Sequence, residues 1–185
     1  GPRPDLRFMR SKPPFFVIIS SISDFSLQYD QPLNLLRVEW ASGDDMRTFR
    51  VSAEQLLLLC QQLQVRHMLL NMNTLPDISV YDQVWMSAHW MPAVVQSSLE
   101  RVVLVNHRRR VHNQLAIESL LAQVSATITF DIQYFPQPGS GLHWLTDYSD
   151  RLPALLSEWQ AVHGPSVPPA PGVSEPRPQY RPLDS

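Results

Sequence analysis

Segments with the two-residue apolar period of a β-strand alternate along this chain with segments that have the 3.6-residue period of an α-helix. Strands that are separated by helices need crossover connections, and such connections favour parallel pairing. The periods predict the order β-β-α-β-α-β-α-β-α between residues 15 and 163. We therefore expect one α/β domain with a mixed, mostly parallel, five-stranded sheet and helices packed against it.

The first two strands are predicted to form an antiparallel hairpin. Phe25, Leu27 and Tyr29 alternate with polar neighbours, and a second strand-like run covers residues 33–40. The residues between them, 30–32, have the composition of a turn. The three later strands are predicted at residues 67–72, 101–106 and 127–134.

The first helix is predicted from about Asp44 to Gln64, with Ser42 as its N-cap. Its apolar residues recur at intervals of three or four, which is the spacing of one helix face. These residues are Met46, Phe49, Ala53, Leu56, Cys60 and Leu63. A strand over residues 46–51 stays open as an alternative.

The second helix is predicted to begin after Ser79, because Asp82 follows three residues later in the pattern of a helix cap. Pro92 lies inside this helix and is expected to kink or end it. The residues assigned to its inner face are Tyr81, Trp85, Ala88, Pro92 and Val95. Later helices are predicted around residues 117–124, 141–146 and 152–162.

Two terminal segments are predicted to stay outside the folded domain. Residues 164–185 contain seven prolines, which lack the backbone N–H that helices and sheets need, so a disordered Pro-rich tail is expected. Residues 1–14 are expected to be a flexible N-terminus, and Gly1-Pro2 is typical of a remnant left by tag removal.

Composition narrows the classes of function. The formal net charge of −2 disfavours a nucleic-acid binder, which needs positive charge to neutralise phosphates. The apolar run of residues 15–19 is too short to span a membrane or to form a full signal peptide. The only cysteine, Cys60, excludes an internal disulfide and suits a reducing compartment, so a cytoplasmic location is predicted.

Five short segments carry a family resemblance: residues 38–43, Trp85, residues 90–92, residues 128–131 and residues 142–145. With these segments and the predicted order of strands and helices, the chain resembles the STAS fold of bacterial anti-sigma-factor antagonists. It is also similar to the STAS/SEC14-like hypothetical proteins of the Bacteroidetes. The resemblance covers about residues 23–147.

This resemblance implies a non-enzymatic regulatory domain that binds another protein and is controlled by phosphorylation. The family's phosphorylated Ser or Thr lies where the third strand turns into the second helix, which here is residues 73–79. Thr74 and Ser79 are the candidate phospho-acceptors, and Asp77 is a candidate partner contact. The family's Ser pair and Gly are missing here, and the alternative role for Ser79 is that of an N-cap.

A basic cluster follows the fourth strand, at the end of the sheet where α/β proteins often bind ligands. Arg108, Arg109 and Arg110 could hold a phosphate or a carboxylate through paired N–H donors. The alternative is a solvated loop.

Aromatic and sulfur-containing side chains suggest an apolar groove. Trp85, Trp90, Met91 and Trp144 could line a site for a small lipid-like ligand, or they could be part of a well-filled core.

The sequence predicts neither a metal site nor a cofactor. The six histidines lack metal-ligand spacing, and no phosphate-binding glycine loop or nucleophile motif is present. The leading hypothesis is a domain that binds another protein through the second helix and the loop before it, with homodimerisation left open. The alternative is a carrier or sensor of a small apolar ligand, and an enzyme ranks third.

Overall fold

The computed structural model describes residues 16–107 and 110–165. Strands and helices alternate as the periodicity predicts. The strands are β1 (Phe16–Ile19), β2 (Phe25–Asp30), β3 (Leu35–Trp40), β4 (His67–Asn71), β5 (Arg101–Val105) and β6 (Asp131–Phe135). The helices are α1 (Phe49–Leu63), α2 (Val80–Trp85), a π-helical turn (Met86–Trp90), α3 (Met91–Val95), α4 (Val111–Gln123), α5 (Pro138–Leu145) and α6 (Leu152–His163).

The six strands of the described residues form one mixed sheet in the order β1-β2-β3-β4-β5-β6. β1, β2 and β3 pair antiparallel, and β3 to β6 pair parallel. The predicted α/β class and mixed sheet are confirmed, but the predicted strand number is wrong. The missed strand is Phe16–Ile19, whose short apolar run pairs with β2 as an edge strand.

Helices cover the parallel strands on both faces. The crossover helices α1, α3 and α4 pack on one face, where Leu36 and Met68 are buried with Leu56 of α1. Helices α5 and α6 pack on the other face against Leu35 and Leu69. Neighbouring residues of a strand point to opposite faces, so strands with both faces covered need apolar side chains at consecutive positions.

Helix α1 is shorter than predicted. It begins at Phe49, not at Asp44, and Thr48 occupies its N-cap position. The predicted cap Ser42 instead donates a hydrogen bond to Asp24. The predicted apolar face is correct from Phe49 onward, because Phe49, Ala53, Leu56 and Cys60 are buried. Residues 49–51 are therefore helical.

The second helix is continuous from α2 through the π turn into α3, which explains how it accommodates Pro92. A π turn shifts the hydrogen-bond pattern by one residue and so changes the direction in which the following side chains point. The predicted inner face is wrong at Tyr81, Ala88 and Pro92, which are exposed. Met86, Met91 and Val94 are the residues this helix buries.

The remaining boundaries differ by a few residues. The last strand begins at Asp131 and not at Thr127, since the chain at Thr127 and Ile128 closes a turn against Val124. The elements of the described residues run from β1 to the end of α6 at His163, and the domain limits of 15–163 stay a prediction. The predicted flexible residues 1–14, and residues 166–185 of the predicted tail, lie outside the described residues.

A buried carboxylate anchors the segment between β3 and α1. Asp24 accepts hydrogen bonds from the hydroxyl groups of Ser42, Thr48 and Ser52, each at 2.5 Å. Burial raises the pKa of Asp24, but the three hydroxyl donors together outweigh burial and lower it below 3.8. The carboxylate is therefore ionised in the folded protein, and it ties the start of α1 to the loop before β2.

We expect Asp24→Asn to lower the free energy of unfolding at pH 7 by about 1–3 kcal/mol, because an amide cannot accept all three hydroxyl donors. A folded-state pKa that is lowered stabilises the protein above the ordinary carboxyl pKa, and this contribution disappears as pH falls through the folded value. Urea denaturation at pH 7 and near pH 3 should show the gap between wild type and variant closing. Asp44→Asn at an exposed position is the control, and an equal loss there would contradict this assignment.

Candidate functional site

The loop between β4 and α2 is held in place by the start of α4. The guanidinium of Arg110 donates from Nη1 to the carbonyl oxygens of Met72 and Asn73, and from Nη2 to that of Leu75 at 2.7 Å. Arg110 thus fastens the backbone of this loop across the sheet edge. These bonds are charge-assisted, which makes them stronger than ordinary amide hydrogen bonds.

Asn113 of α4 continues the attachment. Its Nδ2 donates to the carbonyl oxygens of Leu75 and Pro76, and its Oδ1 accepts the N–H of Ile78 at 2.9 Å. The side chain is almost completely buried, so water cannot replace these bonds if they are lost. The loop therefore has a fixed shape up to the first turn of α2.

The predicted arginine cluster is divided by this arrangement. Arg110 is engaged with backbone carbonyls, whereas Arg108 and Arg109 lie outside the described residues. The neighbouring His107 donates its backbone N–H to Asn73 Oδ1 at 2.7 Å. Anion binding by Arg108 and Arg109 stays a prediction.

The candidate phospho-acceptors lie on the fixed loop. Thr74 is exposed, and its hydroxyl donates to the carbonyl oxygen of Trp40 at 2.8 Å. Ser79 is exposed and accepts the N–H of Asp82 at 3.1 Å, so its predicted N-cap role is confirmed. The carboxylate of Asp77 is exposed between them.

None of the six residues of helix α2 is fully buried, and Trp85 at its end packs partly against the core. The flanks of α2 are held by polar contacts: Arg50 of α1 lies 2.8 Å from the Asp82 carboxylate, and Gln83 donates to the carbonyl oxygen of Ile78. Its outward face is nevertheless apolar. Val80 is 70% exposed, Tyr81 81% and Val84 63%.

Helix α4 also exposes apolar side chains. A hollow of about 220 Å³ lies between α2 and α4, lined by Gln83 of α2 and by His112, Leu115, Ala116 and Ser119 of α4. Leu115 and Val111 of α4 are also more than half exposed. We call these exposed residues the α2–α4 surface; they are Val80, Tyr81, Val84, Val111 and Leu115.

Sequence reasoning did not identify Asn113 or the side chains of the α2–α4 surface. A pattern for them was present, because Val80 and Val84 lie one turn apart and outside the apolar stripe assigned to the core. Val111 and Leu115 have the same spacing on α4. Only the positions of the two helices show that Gln83 of α2 and Leu115 of α4 line one hollow.

The structure does not bring the four residues of the predicted apolar groove together. Trp85, Trp90 and Met91 pack on the face covered by α1 and α4. Trp144 lies on the opposite face, where its ring is 6.2 Å from that of Phe135. The two apolar cavities near Trp90 have volumes of only about 60 and 80 Å³.

The remaining chemical candidates are inert in this arrangement. Burial raises the pKa of the Cys60 thiol to about 12, which suppresses the nucleophilic thiolate. Among residues 16–107 and 110–165, no three His, Cys, Asp or Glu side chains cluster in a way that could hold a metal ion.

Within the same ranges, every helix is too short or too polar to cross a bilayer.

Comparison with protein-family models, with curated proteins and with solved structures finds no match to this chain. The resemblance to STAS domains therefore stays a prediction.

We expect Asn113→Ala to lower the free energy of unfolding by about 2–4 kcal/mol, because the Pro76 carbonyl and the Ile78 N–H lose their partner in a buried site and the Leu75 carbonyl keeps only Arg110. Hydrogen–deuterium exchange should become faster in residues 75–80 while β4 and β5 stay protected. Gln114→Ala, one position along the same helix, is the control. Unchanged exchange in the Asn113 variant would show that this side chain does not fix the loop.

Proposed function

We propose that this chain is a non-enzymatic regulatory domain that binds another protein through the α2–α4 surface and the loop before α2. The observation that carries the proposal is that α2 buries none of its residues and yet presents Val80, Tyr81 and Val84 to solvent. Clustered apolar side chains on the outside of a domain are typical of protein-binding sites. Arg110 and Asn113 support such a role, because a binding surface with a fixed shape loses less entropy on association.

The hollow between α2 and α4 suits an amphipathic helix of the partner. Such helices place apolar side chains at intervals of three and four residues into a groove between two helices. Tyr81 is the expected anchor, because aromatic side chains dominate binding energy when they become buried at an interface. The exposed Asp77 at the start of α2 favours a partner that carries a basic residue beside its apolar face.

The alternative, a carrier of a small apolar ligand, has weaker support. Its best features are the two apolar cavities lined by Trp90 and Leu70. Pockets for small molecules usually have volumes of about 300–1,000 Å³, several times larger than these cavities. Native mass spectrometry of the purified chain would reveal a retained ligand if this alternative were correct.

Tyr81→Ala should weaken partner binding by about 2 kcal/mol or more, roughly 30-fold, and Val84→Asp should abolish it by placing a charge in the interface. Tagged wild-type and variant chains, expressed in the native cells and purified by affinity, would be compared by quantitative mass spectrometry. The binding of the recovered partner would then be measured with purified components. Val162→Asp on α6 is the matched control, because Val162 is 55% exposed and lies on the opposite helix layer.

A partner retained equally by Tyr81→Ala, Val84→Asp and the control would contradict the proposed surface. Sedimentation of the purified wild-type chain covers the homodimer. If the chain self-associates and Val84→Asp makes it monomeric, the surface joins two copies of this chain and not two different proteins.

Phosphorylation of Ser79 is proposed to switch this binding off. A phosphate adds about −1.5 to −2 charge at neutral pH, directly beside Val80 and Tyr81, and burying that charge against an apolar partner is unfavourable. We expect Ser79→Glu to weaken partner binding. Ser79→Ala should preserve binding and only lower stability by about 1 kcal/mol through loss of the cap.

Mass spectrometry of the protein from its native cells would test whether Ser79 or Thr74 carries phosphate. An unmodified Ser79 and Thr74 under all growth conditions, or equal partner binding by the Glu and Ala variants, would remove the switch.

A further inference from the structure

A row of polar side chains crosses the sheet at the edge where the parallel strands end. Ser26 of β2 is paired with Glu39 of β3, and Glu39 is paired with Asn71 of β4. The three side chains lie on the face that α5 and α6 cover. They line a polar cleft of about 250 Å³ that is roofed by Trp159 and His163 of α6. This cleft is separate from the α2–α4 surface.

Glu39 and Asn71 have hydrogen-bonding groups left over. Asn71 is only 9% exposed, and its Oδ1 accepts the N–H of Asn73 at 3.0 Å. Its Nδ2 has no partner among the described residues and is not one of their fully buried atoms, so it is open to a molecule in the cleft. The carboxylate of Glu39 likewise makes no hydrogen bond or ion pair within the described part of the chain.

A buried cation lies one row behind the cleft. Arg37 precedes Glu39 by two residues on the same face of β3, and it is only 2% exposed. Its guanidinium lies 3.9 Å from the ring centre of Trp159, and its Nε is buried without a partner in the described structure. Burial lowers the pKa of Arg37 to about 10, so the group is still positively charged at neutral pH.

Helix α5 starts at the same cleft. Gln137 and Pro138, its N-cap and first residue, line the cleft, and no side chain caps this end of the helix. Gly141 allows α5 to lie close to the sheet, since a Cβ at this position would lie 2.6 Å from Val103 Cγ1. Pro138 has no N–H of its own, so this end of α5 contributes to the cleft only the partial positive charge of a helix N-terminus.

The charges in and around the cleft select for a ligand that carries both signs. A simple anion would be repelled by the carboxylate of Glu39, and a simple cation by Arg37 and the N-terminus of α5. At about 250 Å³ the cleft has room for a ligand considerably larger than a single water molecule.

We propose that the cleft binds a small zwitterion of the α-amino acid class. Its ammonium group binds the carboxylate of Glu39. Its carboxylate accepts a hydrogen bond from Asn71 Nδ2. Ser26, in the same row as Glu39, is within the cleft to meet a polar side chain of the ligand.

The test uses the full chain, labelled with ¹⁵N, and the standard amino acids at millimolar concentration as probes. We expect at least one of them to shift the signals of the Asn71 side-chain amide and of the Trp159 indole in a saturable titration. Its N-acetyl derivative and its carboxamide, which each lack one charge, should bind about tenfold more weakly or not at all.

Glu39→Gln should weaken binding of the same amino acid by about tenfold or more, and Ser26→Ala is a second, milder variant if Glu39→Gln fails to fold. Glu54→Gln, at an exposed position of α1, is the matched control and should bind as the wild type does. The proposal is overturned if no amino acid shifts these signals, if the single-charge derivatives bind equally well, or if a folded Glu39→Gln binds unchanged. Partner binding through Tyr81 is a separate readout, so this result does not decide the proposed function.

Discussion

Coverage of the parallel strands on both faces is the constraint on which the rest of this structure depends. Leu35 faces α5 and α6 while Leu36 faces α1, and Leu69 and Met68 repeat this division on β4. Strands buried in this way have room for few polar groups along their length. Polar side chains are therefore concentrated where the strands end, in the cleft and in the loop before α2.

That loop borders both candidate binding regions. Asn73 and Thr74 line the polar cleft, and Ser79, five residues after Thr74, caps α2. Arg110 and Asn113 fasten the segment between them to the start of α4. Because hydrogen bonds hold the backbone at several carbonyl groups, the residues within the loop cannot easily adjust to a displacement of one of its ends.

Buried polar groups in this protein are of two kinds. Asp24 and Asn113 use their side-chain oxygen and nitrogen atoms fully, on hydroxyl groups and on loop backbone, and their role is to hold segments together. Arg37 and Asn71 keep a donor without a partner among the described residues. The first kind explains stability, whereas the second kind lies in or beside the cleft for which we propose a zwitterionic ligand.

Local patterns in the sequence were enough for the α/β class, the β2–β3 hairpin, the phase of α1 and the Ser79 cap, because each depends on neighbours within a few residues. They failed at β1, a short strand that forms by pairing with β2. They also failed at Tyr81, which lies on the solvent-exposed side of α2. The α2–α4 surface and the Glu39–Asn71 pair depend on which elements lie side by side. Strand register and helix packing decide such contacts between residues more than 25 positions apart, and periodicity along the chain carries no information about them.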